Sequence, residues 1–340
     1  MRAAQINRYE KDVAKAIAGV EVNEIPEPSI GDRDILIRVK AAAVNPLELL
    51  VITGGVKLIQ DYPMPVTLGN EVAGVVERVG DAVRGFQPGD RVYARTPIDH
   101  PGALAEFVAL PADAVAPMPG GYDFDEAATI PLTGLTAWQA FTEVLDAKPG
   151  QSVLIPGGSG SFGRMAVPIA KSLGLDVVVT GNKRSRDEIL ALGADRYLDY
   201  RAEDYWQAGI SVDYVIDALG PAEFDRELSV LKPGGTLLSL RGVPNKAFAE
   251  RMRMPFLKRT LFSLAGSKLD KKARVQGKRY EFIFVREDGE QLRHVTDIVK
   301  ERDVRPSIDP HMFRLDDIQA ALKLVAGMGG RASGKVVVRF

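Results

Sequence analysis

The sequence contains no cysteine and only three histidines, His100, His294 and His311. The missing cysteine excludes disulfides, thiolate catalysis and any Cys-bound zinc, and is compatible with a reducing compartment. No charge of one sign predominates. With 44 Lys and Arg against 45 Asp and Glu the formal charge is -1, so the average surface steers neither nucleic acid nor membrane. No stretch approaches the ~18 uninterrupted apolar residues of a membrane span. Residues 1–12 lack the apolar core of a signal peptide, so the cytoplasm is the expected location. Repeats and low-complexity segments are absent too. What is present is an ordinary globular composition, 46% hydrophobic and 26% charged, in 340 residues, enough for a large core in about two domains.

The chain is organised around one stretch. Val153, Leu154 and Ile155 form a short apolar run that stops at Gly157 and Gly158, and from Met165 apolar residues recur at helical spacing through Val167, Ile169, Ala170 and Leu173. That order reads as strand, glycine turn, helix. Gly158, Gly160 and Gly163 fit G-x-G-x-x-G: Gly158 for the tight turn, Gly160 for the approach of a pyrophosphate, Gly163 for close packing of helix on strand. The loop and helix start, with Ser159, Ser161 and Phe162, present backbone amides and a positive dipole end to an anion. A second strand at Val177 to Thr180 supplies the context that separates a dinucleotide site from an ordinary glycine turn.

On either side of position 125 the chain differs in character. Before it, short strands such as Ile35 to Val39, Val72 to Gly80 and Arg91 to Ala94 follow one another without long helices, as in a small β-rich barrel or sandwich. A helix is expected over Glu126 to Val144. Beyond Gly150, strands at 197–199, 214–217 and 236–240 alternate with helices at 185–192 and 222–231, which implies a parallel sheet covered on both faces. A strand over Tyr280 to Val285 and helices over Glu287 to Glu301 and Asp316 to Met328 precede a final strand.

Several segments recur in one order: Ala43-Val44-Asn45-Pro46, Leu68-Gly69-Asn70-Glu71-Val72-Ala73-Gly74, Pro88-Gly89-Asp90-Arg91-Val92, Pro131-Leu132-Thr133-Gly134, the glycine turn, Leu192-Gly193-Ala194-Asp195, and the tail Gly330-Arg331-Ala332-Ser333-Gly334-Lys335. Together they resemble the medium-chain dehydrogenase/reductase superfamily, in its zinc-free quinone oxidoreductase and enoyl reductase branch. The resemblance implies an α/β chain with a GroES-like β-rich domain (1–125 with 303–340) and a Rossmann doubly wound parallel sheet domain (126–302). It also implies an active site in the cleft between them, and a homodimer. Zinc-dependent relatives have Gly-His-Glu where this chain has Gly69-Asn70-Glu71, and asparagine offers no imidazole nitrogen. One distant histidine with carboxylates is the metal site that stays open. Without a Lewis acid the hydride chemistry points away from simple alcohols and towards enones or quinones, small-molecule substrates rather than nucleic acid.

An NAD site normally carries Asp or Glu at the end of the second strand. Here that strand runs into Gly181, Asn182, Lys183 and Arg184, with two cations and no acid, which favours the 2'-phosphate of NADPH unless the pair is only a solvated loop. The resemblance adds Tyr200 at the adenosine phosphate, Thr136 beside the cofactor, Leu240, Arg241 and Gly242 near the nicotinamide half, Phe284 and Val285, and Arg331. Each has a structural alternative. For chemistry it assigns Asn45, fixed by Pro46 near the nicotinamide, whose amide is expected to donate to a carbonyl or enolate oxygen. The tyrosine that relatives carry soon after this asparagine is replaced by Leu50, and none follows Gly54-Gly55. Tyr62 is therefore the candidate proton relay, beside Tyr93, His100 and water. Enoyl-thioester reduction, or NADPH binding with little turnover, are the alternative functions.

Between Lys246 and Arg279 there are eleven Lys or Arg and two acids, so the remainder of the chain is formally -10. Met254, Leu257, Leu261, Leu264 and Leu269 recur there at nearly helical spacing, with Phe256 and Phe262 beside them. Three readings are open for residues 246–279. They form a helix with its apolar stripe on the protein, a wall of the substrate pocket, or a basic amphipathic helix in contact with a membrane surface.

Overall fold

The structure is a computed structural model describing residues 1–340. In chain order it begins β1 (Arg2–Ile6), α1 (Val13–Ala18), β2 (Glu21–Glu24), β3 (Asp34–Val44), α2 (Pro46–Ile52), β4 (Val66–Thr67), β5 (Glu71–Val79), β6 (Arg91–Arg95), β7 (Phe107–Pro111) and β8 (Val115–Pro117). Then come α3 (Phe124–Ala128), α4 (Pro131–Gln139), β9 (Ser152–Ile155), α5 (Ser161–Ser172), β10 (Asp176–Gly181), α6 (Arg186–Ala191), β11 (Arg196–Asp199) and β12 (Val212–Asp217). It ends with α7 (Phe224–Ser229), β13 (Leu231–Ser239), α8 (Lys246–Arg251), α9 (Phe256–Val275), β14 (Arg279–Phe282), α10 (Gly289–Glu301), β15 (Phe313–Arg314), α11 (Ile318–Val325) and β16 (Val336–Arg339).

Two compact units result, Met1–Leu135 with Arg286–Phe340, and Thr136–Val285. The sequence reading put the divisions at 125/126 and 302/303. The first unit also keeps α10, because its buried side meets β6 and β8. Tyr93 Oη lies 2.6 Å from Thr296 Oγ1, and a Cβ on Gly289 would come within 2.5 Å of the Val115 carbonyl. Within this unit the main sheet has the order β15-β16-β3-β5-β6-β8, with β7 also on β3, and β1, β2 and β4 form a separate small sheet. The antiparallel register Val336↔Val44 is the one that matters for the site, because it sets Lys335 beside Asn45.

The second unit is a single parallel sheet in the order β11-β10-β9-β12-β13-β14. That is the 3-2-1-4-5-6 order of a doubly wound dinucleotide-binding sheet, and the expected architecture is present. Leu154, Val215 and Leu237 on the strands pack with Phe224 and Leu228 of α7 as one buried cluster. The helix expected over 126–144 is broken into α3, α4 and a π-helical turn at Ala140–Val144. Pro131 has no N–H to continue α3 and bars Ile130 from helical geometry. The strand expected over 280–285 ends at Phe282.

The basic stretch becomes α8 and α9, the crossover between β13 and β14. Its inward face carries Phe262, Gly266 and Ala273, and a Cβ on Gly266 would meet Asn245 at 2.5 Å. The leucine stripe points the other way: Leu257 is 80% exposed and Leu264 71%. Of the stripe, Leu257, Leu261 and Leu264 are exposed, while Leu269 packs against the core of the second unit. No helix is long and apolar enough to cross a membrane.

Glu227 of α7 is fully buried, and neither carboxyl oxygen accepts a hydrogen bond from a donor group. Burial first, then the carboxylates of Asp217 and Glu223, push its pKa from 4.5 up to about 9. The folded chain thus holds a proton that the unfolded chain gives up above pH 4.5, so this residue's contribution to stability declines as pH rises from 4.5 to about 9. Glu227→Gln, neutral throughout, is expected to melt higher than the parent by ~3 °C or more at pH 8.5 and equally at pH 5. Thermal unfolding across that range checks it, and a pH-independent difference contradicts it.

Candidate active site

The cofactor candidates of the second unit lie along the carboxyl edge of its sheet. After β9 the chain turns through Gly157, the residue with left-handed backbone (φ 67°), so the turn conformation resides one position before Gly158. Helix α5 starts at Ser161 with Gly160 as its N-cap, so the amides of Ser161, Phe162 and Gly163 are free of intrahelical partners and face outward along the axis. Gly163 has no latitude: a Cβ there would stand 2.1 Å from the Gly158 carbonyl oxygen and 2.3 Å from its Cα. Gly160 is open by comparison, its nearest neighbour at 3.6 Å.

The end of β10 is tied to this loop. Thr180 Oγ1 accepts from the Gly157 amide at 3.1 Å, and Asn182 Nδ2 donates to Ser159 Oγ at 3.3 Å. Asn182 Oδ1 also caps the following 3-10 turn by accepting from the Ser185 amide at 3.2 Å, and Tyr197 Oη donates to its carbonyl at 2.6 Å. Gly181 is needed because a Cβ would meet Tyr197 Oη at 2.2 Å. On the turn so fixed, Lys183 and Arg184 are exposed and make no ion pair. Tyr200, half-exposed after β11, bonds through its amide to the Gly181 carbonyl, and the Arg201 guanidinium lies 5.6 Å from its ring. Arg164, missed from the sequence although it directly follows Gly163, donates to the Ser159 carbonyl at 3.3 Å and pairs with Glu188.

Leu240, Arg241 and Gly242 follow β13, where Ser239 Oγ donates to Asp217 Oδ2 at 2.6 Å and accepts from the Arg241 amide. Phe284 and Val285 lie just past the end of β14 on the same edge. Thr136 is in α4, at the first position of this unit. Asn45, Tyr62 and Arg331 belong to the first unit, Arg331 on an exposed turn before β16.

In that unit the structure brings Asn45 into a buried polar cluster that the sequence did not disclose. Asn45 is the N-cap of α2, and Glu48 at the third helical position accepts its amide at 2.5 Å. The other Glu48 oxygen accepts from Asn70 N (3.1 Å) and Nδ2 (2.7 Å). Glu71 Oε1 accepts from Asn45 Nδ2 at 2.9 Å and from Lys335 Nζ at 2.5 Å, while its Oε2 accepts from the Leu132 amide at 2.8 Å, in the first turn of α4. Lys335 Nζ donates also to Asn45 Oδ1. Glu48 and Glu71 are wholly buried, and Lys335 is 6% exposed. Burial pushes Glu48 up to about 7 against the hydrogen bonds from Asn70 and Asn45, which lower it. Nearby, Arg95 is buried with its Nε unpartnered and Glu287 at 3.6 Å.

This geometry occupies the groups assigned to proton donation. Asn45 Nδ2 is taken by Glu71 and, at 3.3 Å, by the Ala43 carbonyl. Tyr62 Oη donates to the Ile98 carbonyl at 2.9 Å, and burial pushes its pKa up to about 12.

Sequence models of two known domains match this chain, the alcohol dehydrogenase GroES-like domain over residues 31–120 and the zinc-binding dehydrogenase domain over 192–338. The 2-methylene-furan-3-one reductase of Solanum lycopersicum is 31% identical over 336 residues, covering 96% of this chain and 76% of that protein. The chain belongs to the medium-chain dehydrogenase/reductase superfamily. Its first unit is the GroES-like domain and its second the Rossmann domain, as the resemblance implied. The chloroplastic NADPH-dependent alkenal/one oxidoreductase of Arabidopsis thaliana is 34% identical over 236 residues, 66% of this chain and 60% of that protein. Among solved structures, a quinone oxidoreductase from Coxiella burnetii superposes with a TM-score of 0.80 at 27% identity, covering 100% of this chain and 99% of that one.

The two glycines of the α5 turn separate packing from ligand approach. Gly163→Ala is expected to lower thermal stability and to abolish dinucleotide binding, because the clash is with backbone. Gly160→Ala is expected to keep the melting temperature while weakening binding about tenfold or more, since its space is filled by ligand alone. Melting curves and nucleotide titrations on both variants check this; equal melting losses contradict the assignment.

Proposed function

We propose that the chain is a zinc-independent, NADPH-dependent reductase of quinones or α,β-unsaturated carbonyls, working by direct hydride transfer. The observation that carries this reading is the pair Lys183 and Arg184, two exposed unpaired cations on a turn that Asn182 anchors to the glycine loop, with no acid at the end of β10 to take a ribose hydroxyl. In this reading the loop from Gly158 to Gly163 holds the pyrophosphate, and Lys183, Arg184 and Tyr200 hold the 2'-phosphate. Leu240, Arg241, Gly242, Phe284 and Val285 line the nicotinamide half. Thr136 and Arg331 keep the roles that family likeness implies, and Asn45 stays a site residue near the nicotinamide without the donor role, since its amide hydrogens are taken by Glu71 and the Ala43 carbonyl. NADPH supplies the hydride when bound.

The donor set of the first unit does not fit zinc. Asn70 stands where metal-dependent relatives have histidine and spends its amide on Glu48, and no three His, Cys, Asp or Glu side chains converge. An ammonium, Lys335, already sits against Asn45 and Glu71. Without a metal to hold an alkoxide, an electron-poor acceptor suits the chemistry better than an alcohol. The names of the relatives, an alkenal/one oxidoreductase and quinone oxidoreductases, support that substrate class. With the hydroxyl of Tyr62 and the amide hydrogens of Asn45 occupied, water serves as the proton source for the enolate in this reading.

Fluorescence titration tests the cofactor preference. NADPH is expected to bind at least about tenfold tighter than NADH, and the Lys183→Ala/Arg184→Ala double variant to lose that preference while keeping NADH affinity, as fits loss of charge-assisted bonds worth ~1.5–3 kcal/mol each. Equal affinities in the parent contradict the proposal. Tight NADPH binding with no turnover on a panel of quinones and enones favours a binding protein, a reading that the locked Tyr62 hydroxyl supports.

A further inference from the structure

We infer that Lys335 is a positioning residue for Asn45, and that its ammonium serves as the fixed positive charge of a site that has no ligands for a metal. The inference rests on the reading of Asn45 as a site residue. Register brings the two side chains together: β16 pairs with the end of β3 at Val336↔Val44, so Lys335 reaches the asparagine one residue beyond the paired position. Its ammonium donates to Asn45 Oδ1 and to Glu71 Oε1, and the same Glu71 oxygen accepts from Asn45 Nδ2. Oδ1 and Nδ2 of one amide are therefore told apart by a cation on one side and a carboxylate on the other, which fixes the amide in one of its two orientations.

A lysine that merely neutralised Glu71 would not need to reach Asn45 as well. The surroundings exclude solvent as the alternative partner: Asn45 is 3% exposed, Lys335 6%, and Glu71 fully buried. The remaining charges of the cluster are accounted for by other groups. Glu48 faces Asn45 N and the Asn70 amides, and Arg95 faces Glu287. Lys335 is the charged side chain on the oxygen of Asn45, while Glu71 and the Ala43 carbonyl hold its nitrogen, so the positive field at that amide comes from one side chain.

Three variants separate positioning from charge balance. Lys335→Met leaves Glu71 buried without its counter-ion and is expected to melt lower and to lose about thirtyfold or more in kcat for quinone or enone reduction, with NADPH affinity within twofold of the parent. Lys335→Met/Glu71→Gln removes both charges and is expected to recover the melting temperature but not kcat. Lys335→Ala is expected to regain part of its rate with ethylammonium and none with sodium. Recovery of kcat together with stability in the double variant reduces Lys335 to a counter-ion and overturns the inference. Should the parent reduce no acceptor, the crystal structure of the double variant decides: an Asn45 amide turned from its parent orientation supports the inference, and an unchanged one overturns it.

Discussion

The side chains of Glu48, Glu71, Arg95 and Lys335 in the first unit are kept almost wholly out of water, and each must find its compensation within the protein. That requirement determines what the site can be. Glu48 spends its oxygens on the backbone of Asn45 and on Asn70, and Glu71 bridges Asn45, Lys335 and the start of α4. Lys335 brings an ammonium into the same cluster, against Asn45 and Glu71.

The second unit obeys a different constraint, one of space. Helix α5 begins close against the β9 turn because Gly163 carries no side chain, and that closeness turns the first amides of the helix outward as an anion site. Asn182 then carries the same rigidity to the end of β10. Its side chain bonds to Ser159 and caps the turn bearing Lys183 and Arg184, so two flexible cations are presented from a backbone held at both ends. Ordering the backbone in advance reduces what a bound phosphate must order for itself.

The sequence disclosed what depends on local pattern and missed what depends on long-range register. The strand, glycine turn and helix were readable because each is specified within a few residues, and the alternation after Gly150 was enough for a parallel sheet. The motif did not say which glycine takes the left-handed conformation, and the structure gives that role to Gly157. In α9 the side chains of Leu257, Leu261 and Leu264 are exposed, so of the three readings open for residues 246–279 the packing of these leucines on the protein is the one that does not hold. The inner face is marked by the small residues Gly266 and Ala273 around Phe262, where close backbone approach replaces apolar bulk. Pro131 was visible, and its effect on the helix through Glu126 to Val144 was underestimated. Glu48, Glu71 and Lys335 were legible as residues and not as a cluster, since only the pairing of β16 on β3 brings the tail to Asn45. The partners of Asn45 and Tyr62 were hidden for the same reason, because neither Glu71 nor the Ile98 carbonyl is local in sequence.

Hydride delivery to an electron-poor carbon by a protein without zinc is the step on which the proposed function stands. Incubating metal-stripped enzyme with NADPH carrying deuterium at both C4 positions and a simple α,β-unsaturated ketone, then locating the label by mass spectrometry, reads that step. The account predicts a saturated ketone with deuterium at its β-carbon, formed at an undiminished rate with zinc far below one equivalent. A product without the label, or activity that returns only when stoichiometric zinc is restored, contradicts it.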